Sequence, residues 1–82
     1  MKETESIWKS PRGHVFTYER LSNQTTKLTR DKYSVFVSSK GLYLWQTEGW
    51  FIQNALPELS ADDREFLLTG MTPAQQKALY GA

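Results

Sequence analysis

LPELSADDREFLLTGMTPAQQKALYG, residues 56–81, carries two helix start signals and two helix stop signals in succession. Ser60 precedes the first apolar run, and Asp63 follows three residues later, which is the spacing of a capping box closed by a carboxylate. Gly70 stands where this run ends, and glycine is favoured just past a helix end because it tolerates a positive φ. The pattern predicts a helix over residues 61–69.

A second helix is predicted directly after the first, over residues 73–80. Thr72 supplies a capping hydroxyl, Pro73 occupies the first helical position, and Gln75 completes a capping box. Gly81 marks the end of this helix. The residues that we interpret as structural caps are Ser60, Asp63, Gly70, Thr72, Pro73 and Gln75.

The acidic run at the start of the first helix has a structural explanation. Asp62, Asp63 and Glu65 lie in or next to the first turn, where negative charge is favoured by the helix dipole. We therefore do not interpret these three carboxylates as a metal site.

The first half of the chain predicts an antiparallel sheet. Apolar and polar residues alternate in segments that are bounded by turn residues, as is typical of strands. The predicted strands cover residues 14–21, 25–30, 33–37 and 42–46. The last two form a hairpin that is apolar on both sides, so either both faces are covered or one face is an exposed aromatic patch that marks an interaction site.

Residues 50–56 fit one short helix, with a continuing strand as the alternative, and Pro57 ends either. The fold class is therefore α+β. A sheet of three or four antiparallel strands, over about residues 14–46, is followed by two or three short helices packed on one of its faces.

The size of the chain limits its core. Its 82 residues form one small domain, predicted over residues 13–82 after a flexible arm over residues 1–12. The chain has no cysteine, so no disulfide supports the domain, and its stability depends on apolar packing or on a partner chain.

The sequence predicts a cytoplasmic protein that does not enter a membrane. The segment MKETESIWKS is charged and polar, unlike a signal peptide. No apolar run approaches the roughly 18 residues that a membrane span needs. The absence of cysteine is typical of a reducing compartment.

Charge is distributed unevenly along the chain. Residues 1–40 contain eight Lys and Arg against four Asp and Glu, whereas residues 41–82 contain two against five. The predicted sheet is therefore basic and the helical tail acidic, an asymmetry that can orient a charged partner.

Neither catalysis nor a cofactor is predicted. His14 is the one histidine in the sequence, and no nucleophile or carboxylate stands at a motif spacing from it. No glycine-rich phosphate loop is present. We expect a protein that is not an enzyme and binds no metal.

The segment from Ile52 to Gly70, IQNALPELSADDREFLLTG, followed by Thr72-Pro73, resembles the tail of small proteins encoded by bacteriophages and related mobile elements. The resemblance covers residues 52–80. It implies a phage origin and supplies no active-site residue.

These observations lead to one functional hypothesis: a small phage-type accessory protein that binds, and through binding inhibits, a host protein in the host cytoplasm. Exposed Trp, Tyr and Arg side chains are common anchors of protein interfaces. The predicted contact residues are Trp8, Arg30, Lys32, Tyr43 and Trp45.

Two alternatives use the same sheet. One is a nucleic-acid-binding face on which bases stack against aromatic rings between basic residues, the pattern of single-strand binders. Its basic residues would be Arg20, Lys27, Arg30, Lys32 and Lys40. The other is a structural phage subunit whose second apolar face is buried in a homodimer.

Overall fold

The computed structural model describes residues 5–80 as an α+β fold. Four strands form one antiparallel sheet in the order β1-β2-β3-β4, so each strand pairs with the next along the chain. Their bounds are Glu5–Lys9 for β1, Val15–Arg20 for β2, Thr25–Arg30 for β3 and Tyr33–Ser38 for β4. The predicted fold class, a sheet followed by C-terminal helices, is confirmed.

Four helices follow the sheet. They are α1 at Ser39–Thr47, α2 at Ile52–Ala55, α3 at Ala61–Thr69 and α4 at Pro73–Tyr80. No helix within residues 5–80 is long and apolar enough to cross a membrane.

The caps of α3 and α4 lie at the predicted residues, with a complete capping box at α4 and only the Ser60 half of the box at α3. Ser60 Oγ accepts the Asp63 amide at 3.1 Å, and Gly70 ends α3 with a left-handed φ of 76°. At α4, Thr72 Oγ1 accepts the Gln75 amide at 3.2 Å while Gln75 Oε1 accepts the Thr72 amide at 2.9 Å. Gly81 lies outside the described residues.

The predicted strand over residues 42–46 is wrong, because these residues lie in α1. Ser38, the last residue of β4, caps this helix by accepting the Gly41 amide on its side chain at 3.1 Å. Leu42 and Trp45 are buried together at helical spacing, whereas Tyr43 between them is exposed. The apolar segment of residues 42–46 fits both the strand and the helix periodicity. The cap at Ser38 and the burial of Leu42 and Trp45 in the core favour the helix.

The predicted N-terminal arm is wrong for residues 5–9, which form the edge strand β1. This strand pairs with β2 in a register that sets Trp8 opposite Phe16 and Ile7 opposite Thr17. Trp8 is buried, so burial of its ring stabilises the attachment of this otherwise polar segment. Residues 1–4 of the predicted arm lie outside the described residues.

One face of the sheet is covered by the helices and forms the core. Phe16, Leu28, Val35 and Val37 contribute buried side chains from β2, β3 and β4, and Phe66 contributes one from α3. The ring of Phe66 meets Phe16 edge-on with 5.3 Å between centroids. The core therefore joins the sheet directly to α3, the first of the two capped helices of the tail.

The opposite face of the sheet carries no helix among the described residues. We call it the outer face. Thr17, Thr29 and Ser34 lie across its middle, aligned by the strand registers. Its large exposed apolar side chains are Ile7, Val15 and Phe36. The outer face is mostly polar, with apolar residues near the two edge strands.

Gly41 is needed where α1 approaches α2. A Cβ at this position would overlap the carbonyl oxygen of Ala55 and would lie 2.6 Å from Leu56 Cδ2. The backbones of the two helices therefore pack against each other with no space for a side chain.

Gly41→Ala should lower the free energy of unfolding by about 1–3 kcal/mol, although alanine is the better helix former by about 1 kcal/mol. The reason is that the backbone of α2 cannot yield as a flexible side chain would. Urea denaturation measures the change. Lys40→Ala, at an exposed position of the same helix, is the control and should alter stability by less than about 0.5 kcal/mol. A Gly41→Ala protein as stable as the parent would contradict this packing.

Candidate functional site

Two of the predicted contact residues, Trp8 and Trp45, lie in the core. They are 8% and 7% exposed, and their ring centroids are 5.9 Å apart. Trp8 Nε1 donates to Gln46 Oε1 at 2.6 Å, so the polar atom of the buried indole is satisfied within the fold. The prediction of Trp8 and Trp45 as exposed partner anchors is therefore wrong, because both rings are mostly buried against each other, although Trp45 also lines a surface cleft.

Arg30, a third predicted contact residue, joins three parts of the fold. Its Nε donates to the Gly70 carbonyl oxygen at 2.8 Å, and its Nη1 donates to the Val15 carbonyl oxygen at 2.9 Å. The guanidinium therefore links β3 to β2 and to the end of α3. Because two of its N–H groups donate to the protein's own backbone, we interpret Arg30 as a structural residue and not as a partner contact.

The remaining two predicted contact residues are exposed but separated. Lys32 lies in the two-residue turn between β3 and β4, where Asp31 and Lys32 both have a left-handed φ. Tyr43 lies on α1, which begins at the other end of β4. Six strand residues extend about 20 Å, so Lys32 and Tyr43 do not form one surface. Tyr43 instead borders a shallow groove with Tyr18 and Arg20.

The aromatic and basic residues proposed for nucleic acid are also dispersed. Lys27 and Phe36 share the outer face as a cross-strand pair. Lys40 and Tyr43 lie on α1, and Trp45 is buried. These residues form no continuous basic, aromatic face among those that the structure describes.

The acidic residues of α3 serve the fold. Asp63 was expected to accept the amide of Ser60, but its carboxylate instead accepts the Tyr33 hydroxyl at 2.6 Å. This hydrogen bond raises the pKa of Tyr33 to about 12, with smaller contributions from burial and from the charges of Asp63 and Asp62. The pair connects the start of α3 to β4.

No metal-binding geometry is found within residues 5–80, since no three His, Asp or Glu side chains cluster there. The ring of His14 lies beside Gly70, where an added Cβ would meet its Nδ1 at 3.1 Å. The backbone amide of His14 donates to Ser10 Oγ at 3.0 Å. His14 is thus part of the packing at the end of α3.

A cleft that the sequence did not predict lies beside two adjacent exposed rings. Trp50 and Phe51 are 46% and 74% exposed. They line a depression of about 360 Å³, which we call the Trp50–Phe51 cleft. Its lining residues are Pro11, Arg12, Trp45, Trp50, Phe51, Ile52, Gln53 and Leu68.

The local backbone explains why both rings point outward. Gly49 has a left-handed φ of 75°, and the Trp50 amide donates back to the Leu44 carbonyl oxygen at 3.2 Å, which ends α1. Phe51 is then the N-cap of α2, and Ile52 takes the buried position. A helix that starts at Ile52 directs its apolar face inward without using either preceding ring.

The predicted helix over residues 50–56 therefore begins two residues later than expected, at Ile52. Trp50 and Phe51, which the predicted helix included, precede the observed helix and are exposed. The sequence does contain a signal for this exposure. Two large aromatic residues follow Gly49 directly, and a short helix cannot bury both rings on its one apolar face.

The cleft is apolar with one positive edge. Of the described residues that line it, Arg12 alone carries a charge, and Gln53 adds an amide. Pro11 and Arg12 come from the turn between β1 and β2, whereas Leu68 comes from α3. Three distant parts of the sequence meet at this site, so no local motif reveals it.

In comparisons with known proteins, the chain matches no protein family, no curated protein and no solved structure.

The Tyr33–Asp63 pair should make stability fall at high pH. Because the folded state holds the pKa of Tyr33 near 12, above its ordinary value of 10.0, the unfolded chain loses this proton first. The contribution of the pair is complete below about pH 10 and is lost as the pH rises toward about 12. Tyr33→Phe should lower stability by about 1 kcal/mol at neutral pH and should remove this part of the alkaline loss.

Urea denaturation between about pH 8 and about pH 11 measures the effect as the difference between the parent and Tyr33→Phe. Asp63→Asn is the matched control, because it keeps an acceptor oxygen and removes the charge. Its alkaline loss should lie between the other two. Parallel pH profiles for the parent and Tyr33→Phe would show that the pair has no such role.

Proposed function

We propose that this chain is a small phage-type accessory protein that acts by binding a host protein, not by catalysis. The observation that carries the proposal is the exposure of two adjacent large rings, Trp50 and Phe51, at the edge of a cleft. The chain has enough core to bury Trp8, Trp45, Phe16 and Phe66. We therefore interpret the exposed aromatic pair as a site of interaction.

The two rings offer enough apolar surface to anchor a partner. Together they present on the order of 200 Å² to solvent, which corresponds to about 5 kcal/mol of gross transfer free energy when covered. Association costs reduce the net value. A pair of this kind is nevertheless sufficient as the centre of a protein interface, where a few aromatic residues dominate affinity.

The chemistry of the cleft indicates what it binds. Its volume of about 360 Å³ can hold one apolar or aromatic side chain, which would contact the two rings and Leu68. Arg12 at the rim suits a carboxylate, since an arginine can hold a carboxylate with two parallel hydrogen bonds. The partner is therefore a protein segment with an apolar anchor and an acidic neighbour.

Nucleic acid remains the alternative, and the charge around the cleft argues against it. Binding of a phosphate backbone needs several cations along its path. Lys27 lies on the outer face, Lys32 at the β3–β4 turn and Lys40 on α1, none of them lining the cleft. If a base stacked on Trp50, Arg12 would be the one cation, among the described residues that line the cleft, that could bind the phosphates of the nucleic acid.

Inhibition and location follow from the resemblance of residues 52–80 to phage-encoded tails. A phage accessory protein meets its targets in the host cytoplasm, and covering a functional surface of a host protein inhibits it. We assign this role to the Trp50–Phe51 cleft.

Affinity capture from a bacterial host lysate tests the proposal, with the parent chain and the variants Trp50→Ala and Phe51→Ala as baits. We expect a host protein that the parent retains and that each variant retains at least about tenfold less well, the loss typical of an interface anchor. Arg12→Glu should weaken retention as well. Because both rings are exposed, these substitutions should change stability by less than about 0.5 kcal/mol.

Tyr80→Ala is the matched control, since it removes an equally exposed ring from α4 and should retain the host protein. Tyr43→Ala tests the contact residue that the sequence predicted and the structure leaves exposed. A host protein retained equally by all baits would contradict the role of the cleft. Binding of single-stranded DNA that weakens steeply with salt and is lost in Phe51→Ala would favour the alternative.

A further inference from the structure

Strand β4 is an edge strand with a free row of backbone groups. The turn at Asp31 and Lys32 makes Arg30 and Tyr33 the first pair of the β3–β4 ladder. Because hydrogen-bonded and non-hydrogen-bonded pairs alternate in antiparallel strands, the amides and carbonyls of Ser34 and Phe36 point away from β3. Within the described residues, no backbone hydrogen bond outside the ladder involves them.

From Tyr33 to Val37, before the Ser38 amide that donates to Glu58, this edge lacks the features by which proteins usually prevent strand pairing. Its sequence, YSVFVS, contains no charge and no proline, and its register against β3 runs from Arg30–Tyr33 to Thr25–Ser38 without a bulge. The edge at β1 differs, because its sequence, ESIWK, begins with an acid and ends with a base. Charged, bulged or proline-containing edges resist pairing, so β4 is the edge that is open to another strand.

The side chains beside the edge support pairing as well. Phe36 lies on the outer face and is 57% exposed. It is one of the largest apolar side chains that the sheet presents to solvent. A strand added at β4 would cover part of its ring.

The ends of β4 are complementary in charge to each other. Lys32 lies just before the strand and is exposed. At the other end, the Ser38 amide donates to Glu58 Oε2 at 3.3 Å, which places a carboxylate beside the last residue of the edge. The edge is thus positive at its start and negative at its end.

A second copy of β4, running antiparallel to the first, can pair with this edge so that the opposite charges at the two ends lie next to each other. With the twofold axis at Val35, Ser34 of one copy lies opposite Phe36 of the other, and each such pair exchanges two backbone hydrogen bonds. Lys32 of one copy then lies opposite Ser38 of the other, beside its Glu58. The two Phe36 side chains become diagonal neighbours on the outer face, about 7–8 Å apart and within reach of each other.

We propose that two copies of this chain pair through β4 in this antiparallel register, so that their two sheets become one continuous sheet. A twofold pair uses both free edges at once and is closed. It leaves the charged β1 strands as the outer edges. The inference is independent of the proposed function, because no residue of the pairing edge lines the Trp50–Phe51 cleft.

Sedimentation velocity over a range of concentrations tests the pairing. The parent chain should pass from monomer to dimer below about 1 mM, the weak end of specific association. Phe36→Lys should raise the dissociation constant at least about tenfold, because it sets two like charges beside the twofold axis. Ile7→Lys, an exposed outer-face substitution on β1, is the matched control and should dimerise as the parent does.

Charge reversal tests the register. Lys32→Glu and Glu58→Lys should each weaken the dimer roughly tenfold by placing like charges opposite each other. The double variant restores opposite charges at both ends and should recover most of the loss, which a purely structural role of either residue does not produce. Amide exchange at Ser34 and Phe36 should slow as the protein concentration rises.

A parent chain that stays monomeric up to about 1 mM would overturn the proposal, as would a dimer that Phe36→Lys leaves intact. Failure of the double variant to recover affinity would refute the Val35-centred register. Capture of a host protein by Phe36→Lys as by the parent would show that cleft binding is separate from pairing. Capture lost in Phe36→Lys, together with a parent chain that stays monomeric, would instead assign the β4 edge to a partner's strand.

Discussion

A row of five aromatic rings holds this small fold together. Trp45 of α1 packs against Trp8 of β1, Trp8 against Phe16 of β2, Phe16 against Phe66 of α3, and Phe66 against Tyr33 of β4. Centroid distances along the row run from 5.0 to 5.9 Å with tilted or edge-on rings, the arrangement that aromatic pairs prefer. A chain with no disulfide and little interior relies on such rings because each buries a large apolar area.

The row also determines which surfaces are left for function. Trp8 and Trp45 pack against each other in the core. The rings that the core does not accommodate are exposed on the surface. Among them, Trp50 and Phe51 are adjacent and border a cleft. The polar contacts that Arg30 and Asp63 make with the backbone and with Tyr33 hold the capped helices onto the sheet. The exposed rings of Trp50 and Phe51 can therefore vary without unfolding the domain, whereas Trp45 and Ile52 line the cleft and also belong to the core.

Prediction from the sequence succeeded where the signal was local and failed where an element's identity depended on distant contacts. Caps at Ser60, Thr72 and Gly70 are set by hydrogen bonds within four residues, so α3 and α4 have the predicted bounds. Residues 42–46 satisfy both a strand and a helix pattern, and the cap at Ser38 with burial of Leu42 and Trp45 decides for α1. Residues 5–9 contain few apolar side chains. They form a strand because their backbone pairs with β2 and because the ring of Trp8 is buried in the core.

The sequence by itself determined the α+β class, the antiparallel strands β2 to β4 and the two capped helices, because short-range periodicity and capping chemistry specify these elements. Tertiary structure alone decided that β1 joins the sheet and that Trp8 and Trp45 are core, and together with the local cap at Ser38 it decided that α1 is a helix. It also brought Arg12, Leu68 and the Trp50–Phe51 pair into one cleft and left β4 as an edge. The physical reason is that burial and edge pairing depend on which distant surfaces meet, and no local pattern encodes that.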